Sequence, residues 1–117
     1  MKLKLICLLA GAIQLVPLSI VGAFAEAQSG IASIYSTESG SRTASGRRLD
    51  PGALTAAHRS LPFGSKVRVT NRHNGRSIVV TVIGRGPFMR GRIIDLTPAA
   101  GHALGFSGLA PVTIDRE

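Results

Sequence analysis

Two apolar-alternating runs separated by a glycine turn constrain this chain more than any other feature. In Ser65–Asn71, Val67 and Val69 alternate with Arg68 and Thr70, and in Arg76–Ile83 the residues Ile78, Val80 and Val82 recur with the same period of two. A period of two places successive side chains on opposite faces of a strand, so each run has one face for a core and one for solvent. Between them lies Asn71-Arg72-His73-Asn74-Gly75, whose Asn-Gly pair is suited to the positive φ angles of a tight turn. The two runs therefore predict a β-hairpin.

The rest of the chain is punctuated in the same way. Gly30–Tyr35 reads as a first strand after a frayed start at Ala27–Ser29, and Ser36–Gly46 (STESGSRTASG) as a polar, glycine-rich loop. The stretch IGRGPFMRGRIIDL, Ile83–Leu96, breaks sharply at Gly84–Gly91 and resumes as a short apolar strand, Ile93–Leu96. Thr97 and Pro98 have the chemistry of an N-cap and a first helical residue, Gly105 of a C-terminal stop, and Pro111–Asp115 forms a last strand. Many short strands, glycine corners and one short helix indicate a mainly β, small closed barrel.

The first 25 residues are not expected to enter that barrel. Lys2 and Lys4 precede an apolar stretch, Leu5–Val21, and Ala23-Phe24-Ala25 offers the small-x-small pattern of a signal peptidase site. Export with cleavage before Glu26 follows, leaving residues 26–117 as one domain with no membrane anchor. The only cysteine, Cys7, lies too early for a lipidation site and is lost with the leader. Removing 25 of 117 residues leaves 92, enough for one small domain expected to act as a monomer. Its 12 basic side chains face 6 acidic ones, and all but Lys66 are arginines. Planar guanidinium forks favour carboxylates and phosphates, so solubility aside, the charge points to an anionic partner. Nucleic acid fits poorly, given export and few aromatic residues for base stacking. The chain ends soon after the last strand, so no additional wall-binding domain is expected.

Residue chemistry narrows the site. The three histidines, His58, His73 and His102, lie far apart with no surviving thiol, so no metal or other cofactor is expected. No serine occupies a nucleophile elbow and no glycine run matches a phosphate loop. Asp50, before Pro51-Gly52, suits a turn, and His58 suits a hydrogen-bonded structural histidine. Asp95, between Ile94 and Leu96, is harder to explain structurally, because a carboxylate on an apolar strand needs a partner or a function. An ion pair with Arg85 or Arg92 is the structural alternative.

Taken in order, GIASIYS, TASGRRLD, LTAAHRSLPFGSKVRVTN, NGRSIVVTVIGRGPF and GRIIDLTPAAGHALG resemble the rare lipoprotein A (RlpA-like) family from Gly30 to about Ile114. The resemblance implies a six-stranded double-psi β-barrel with one or two short helices, shared with expansins and barwin-like proteins. It also implies endolytic, non-hydrolytic cleavage of peptidoglycan glycan strands, preferably those lacking stem peptides, leaving 1,6-anhydro-muramic acid ends. By motif position it makes Asp95, Asp50 and His58 catalytic candidates; Asp95 stands where expansins carry an Asp needed for wall loosening. Arg85, Arg47, Tyr35, Thr43 and Ser45 are the candidate substrate-binding residues. Two positions depart from the pattern: a family Asp is Gly84 here, and a family Glu is Arg47. The alternative reading is a glycan-binding or wall-loosening module that does not cut; a protein-inhibitor barrel is a third.

Overall fold

A computed structural model describes residues 27–35 and 41–117. The proposed leader and part of the polar loop, Ser36–Gly40, lie outside the described residues. Six strands and a helix follow in the order β1 (Gln28–Ile34), β2 (Thr55–Ala57), β3 (Lys66–Asn71), β4 (Ser77–Gly84), β5 (Arg92–Leu96), α1 (Pro98–Leu104) and β6 (Ala110–Arg116). The strands close into a barrel in the spatial order β1-β5-β2-β4-β3-β6. Two neighbouring pairs, β1/β5 and β2/β4, run parallel, and the remaining ladders are antiparallel. Each parallel pair requires a crossover, and the two crossovers interlock as in the double-psi barrel the resemblance implies.

Alternation builds the core. Val67, Val69, Val80, Val82, Ile94, Leu96, Val112 and Ile114 point inward from four different strands and are at most 3% exposed. Ala32 and Ala56 fill the narrower positions, and α1 adds Ala100 and Leu104. The helix begins and ends as its residues dictate. The Thr97 hydroxyl accepts the Ala100 N–H, Pro98 opens the first turn, and Gly105 closes the last at φ 80°. Its C-terminus is tied to the hairpin loop: Asn71 and Asn74 both donate side-chain amide hydrogens to the Leu104 carbonyl, at 2.9 and 3.0 Å.

Two expectations change in detail, and one strand was not read from the sequence. The hairpin forms, but Gly75 alone of the Asn-Gly pair has positive φ, at 78°. The Asn71 N–H bonds the Arg76 carbonyl and the Gly75 N–H bonds the Asn71 carbonyl, so four residues make the turn. A two-residue turn of the expected kind would need both residues at positive φ. The first strand starts at Gln28, because Gln28 and Ser29 pair with Ile114 and Thr113 of β6. And β2, only three residues long and buried throughout, carries no readable period.

Candidate functional site

Four strands contribute one residue each to a continuous row. Ser33 of β1 pairs with Asp95 of β5, Asp95 pairs with Ala57 of β2, and Ala57 pairs with Gly84 of β4. The row lies near the C-terminal ends of all four strands. Asp95 does not enter the core: its neighbours Ile94 and Leu96 are 0% exposed, while its own side chain is half-buried on the opposite face. That orientation explains how a carboxylate is tolerated in an apolar strand. The Ser33 hydroxyl donates a hydrogen bond to Asp95 Oδ1. Neither Arg85 nor Arg92 pairs with it; among the described residues the ion pair is Arg68–Glu117, elsewhere on the barrel.

Tyr35 lies two residues beyond Ser33 on the same face, its backbone N–H held by the Leu96 carbonyl at 2.8 Å. Burial first, then the Asp95 charge, pushes the Tyr35 phenol up to about 12. Gly84 and Tyr35 share a cleft of about 200 Å³ with Ser41, Arg42, Thr43, Ala44, Leu49 and Arg85. Part of its wall is a small hairpin joined at Arg42 and Arg48. Thr43 donates its hydroxyl to the Arg47 carbonyl at 2.7 Å and meets the Ser45 hydroxyl at 3.2 Å. The Ser45 N–H docks onto the Ile83 carbonyl at 3.0 Å, which sets the hairpin beside Gly84. Thr43 and Ser45 thus shape the wall. Arg47 is exposed, and its guanidinium bonds none of the described residues.

The other candidates have structural engagements. Asp50 is exposed and accepts the Gly52 N–H at 2.9 Å, making the turn its sequence suggests. His58 is 4% exposed. Its Nδ1 accepts the backbone N–H groups of Ser60 and Leu61 at 3.1 and 3.2 Å. Nε2 is then the protonated nitrogen and donates to Gln28 Oε1 at 3.1 Å. Burial, then the charges of Arg85 and Arg59, lowers the His58 pKa, so the neutral ring is held. His58 also lines a second cleft, of about 370 Å³, with Gln28, Ser29, Arg59, Ser60 and Ile93. No group of three or more His, Cys, Asp or Glu residues converges on a metal position among the described residues.

Of the two arginines in the break at Gly84–Gly91, Arg85 acts as a brace. Arg85 donates through one nitrogen to the carbonyls of His58 and Leu61, at 3.2 and 2.8 Å, and lies 4.1 Å over the Phe63 ring. In return Arg59 donates to the carbonyls of Pro87, Met89 and Arg92, at 2.7, 3.1 and 2.8 Å. Each loop thereby holds the other in place around the row. Sequence reading overlooked Arg59, whose partners lie about thirty residues away, and Ser33, which the shared period of two with Tyr35 could have marked.

The protein named "Probable endolytic peptidoglycan transglycosylase RlpA" from Nostoc sp. is 57% identical over 91 residues, covering 74% of this chain. The chain spans only 24% of that relative's length. Among solved structures, the Streptomyces papain inhibitor superposes with a TM-score of 0.62 at 26% identity, over 78% of this chain and 94% of its own. A mutant Clavibacter michiganensis expansin in complex with cellohexaose superposes with a TM-score of 0.63 at 21% identity, over 79% of this chain and 50% of its own. The expansin likeness is one of fold, and it accords with the interlocked crossovers of the barrel. Residues 27–114, which contain every strand but the last two residues of β6, match the model described as lytic transglycolase, and the chain belongs to that family.

Proposed function

We propose that this chain is an exported endolytic transglycosylase that cuts peptidoglycan glycan strands, preferring those without stem peptides, and leaves 1,6-anhydro-muramic acid ends. The carrying observation is Asp95: a half-buried carboxylate on the outer face, oriented by Ser33, with no cationic partner among the described residues and in the same row as Gly84, which lines a cleft. Breaking the glycosidic bond requires a proton on the leaving oxygen while positive charge builds on the sugar ring. The 6-hydroxyl of the same sugar then closes on C1, and its proton must be removed. A single well-placed carboxylate can serve both steps in turn, because no water is activated. Asp50 and His58 support the site through a turn and a braced loop rather than by moving protons. A cleft between β1 and the arginine-bearing hairpin suits the lactyl carboxylate that muramic acid exposes once its stem peptide is gone.

The deciding experiment is incubation of the mature protein with amidase-treated glycan strands and mass spectrometry of the products. Anhydro ends establish the activity. Their absence with retained binding favours the second reading, a glycan-binding or wall-loosening module, which the side-chain-free Gly84 and the arginine at position 47 support.

Two further outcomes are expected. Affinity for denuded strands falls as salt rises, since charged contacts are screened over about 8–10 Å at physiological ionic strength. Arg47→Ala lowers that affinity, and chitin oligomers, which lack the lactyl group, bind more weakly than denuded strands; calorimetry at two salt concentrations checks both. Arg47 is the cleaner probe, because Arg85→Ala also releases two loop carbonyls. On export, N-terminal sequencing of the secreted protein is expected to begin at Glu26, with no lipid attached; an intact Met1 would refute the leader.

A further inference from the structure

The resemblance implies a carboxylate at position 84, and the structure has something else in that space. A Cβ built on Gly84 would lie 2.6 Å from the Tyr35 hydroxyl and 3.3 Å from the Ala57 Cβ. Gly84 does not have positive φ, so its backbone does not call for glycine. What excludes a side chain there is the phenol. The Tyr35 hydroxyl makes no hydrogen bond to the described residues, although it faces a cleft and a neighbouring carboxylate. A polar group kept at the active row without a protein partner is available to a substrate.

We propose that Tyr35 is the proton donor of the cleavage step, its phenol occupying the place of the absent carboxylate while Asp95 accepts the proton of the sugar 6-hydroxyl. The inference rests on the transglycosylase reading and divides between two groups the steps a lone Asp95 would perform in turn. The C1–O4 bond breaks and O4 takes the Tyr35 proton. The C1–O6 bond forms and the O6 proton passes to the Asp95 carboxylate. Asp95 then returns that proton to the Tyr35 phenolate, directly or through solvent, and both groups regain their starting states without an added reactant. A phenol is protonated through the physiological range, so the donor is loaded. The Asp95 charge that opposes its ionisation is neutralised as Asp95 takes the O6 proton, the moment at which the phenol gives up its own. The charged and titratable groups around it are Asp95 on β5, Arg85 at the end of β4 and Arg42 on the small hairpin, with His58 beyond Ala57.

The test uses the mature protein and denuded glycan strands, reading anhydro ends by mass spectrometry, glycan affinity by calorimetry and folding by Tm. Tyr35→Phe is expected to lower anhydro-end formation by about 10²-fold, the lower range for positioned proton transfer, with affinity lowered far less than the rate. Combining it with Gly84→Asp removes the clashing oxygen and puts a carboxylate in the vacated space, and is expected to recover about 10-fold or more of the loss. The wild-type pH profile supplies an independent reading. The relay needs ionised Asp95 and neutral Tyr35, so activity should fall on acidification and persist into the alkaline range. Tyr35→Phe cleaving like wild type while Asp95→Asn is inactive would overturn the relay and leave the transglycosylase reading intact. So would a profile that falls as pH rises through neutrality, or a Tyr35→Phe loss explained wholly by lost affinity. No anhydro ends from the wild type would overturn both.

Discussion

Asp95→Asn is expected to abolish anhydro-end formation, a loss of about 10²–10⁴-fold, without unfolding the barrel. Asparagine preserves the side-chain shape and an oxygen that can accept the Ser33 hydroxyl, so the contact that orients the residue survives. It can neither give nor take the proton that the reaction requires. Because the side chain faces away from the core, with Ile94 and Leu96 packed on the other side of β5, the exchange opens no cavity and Tm should move little. Glycan affinity should also persist. Cleavage by Asp95→Asn at the wild-type rate would remove Asp95 from the reaction altogether. Loss of cleavage together with collapse of Tm would instead identify Asp95 as a structural residue.

His58→Ala should destabilise the protein by about 2–3 kcal/mol, since it removes the acceptor of two backbone N–H groups in a part-buried loop. His58→Asn places an oxygen near the position of Nδ1 and should recover most of that loss; urea unfolding of the three proteins checks the order. The imidazole also sets a pH dependence. Its folded pKa is depressed below the ordinary 6.5, so between the folded and unfolded values the unfolded chain binds the extra proton. The stabilisation is therefore complete above about 6.5 and declines as pH falls through that window. Wild-type Tm should drop on acidification from neutrality more steeply than that of His58→Asn. A pH-independent difference between the two would rule out the neutral-ring account. The same variants separate support from chemistry, because a braced loop can be rescued by an amide oxygen and a proton shuttle cannot.

Local chemistry written into the sequence determined much of this protein. Alternating valines in β3 and β4 and the Thr97-Pro98 start and Gly105 end of α1 depend on neighbours within a few residues, and all are seen in the structure. The motif order carried the family, and the family model spans the same residues. The site was legible only in part. Asp95 stood out because a carboxylate in an apolar strand is locally anomalous, yet its sequence did not say which face it takes. Only closure of the barrel decided that Ser33, Asp95, Ala57 and Gly84, contributed by β1, β5, β2 and β4, form one row. The arginines showed the same limit more sharply. Their number was plain, but Arg59 and Arg85 became reciprocal braces because the fold brings carbonyls from distant loops within reach of rigid guanidinium forks. Likewise nothing near Gly84 in the chain marks Tyr35; their contact exists because interlocked crossovers bring the ends of β1 and β4 to the same point, where one phenol fills the space a side chain would need.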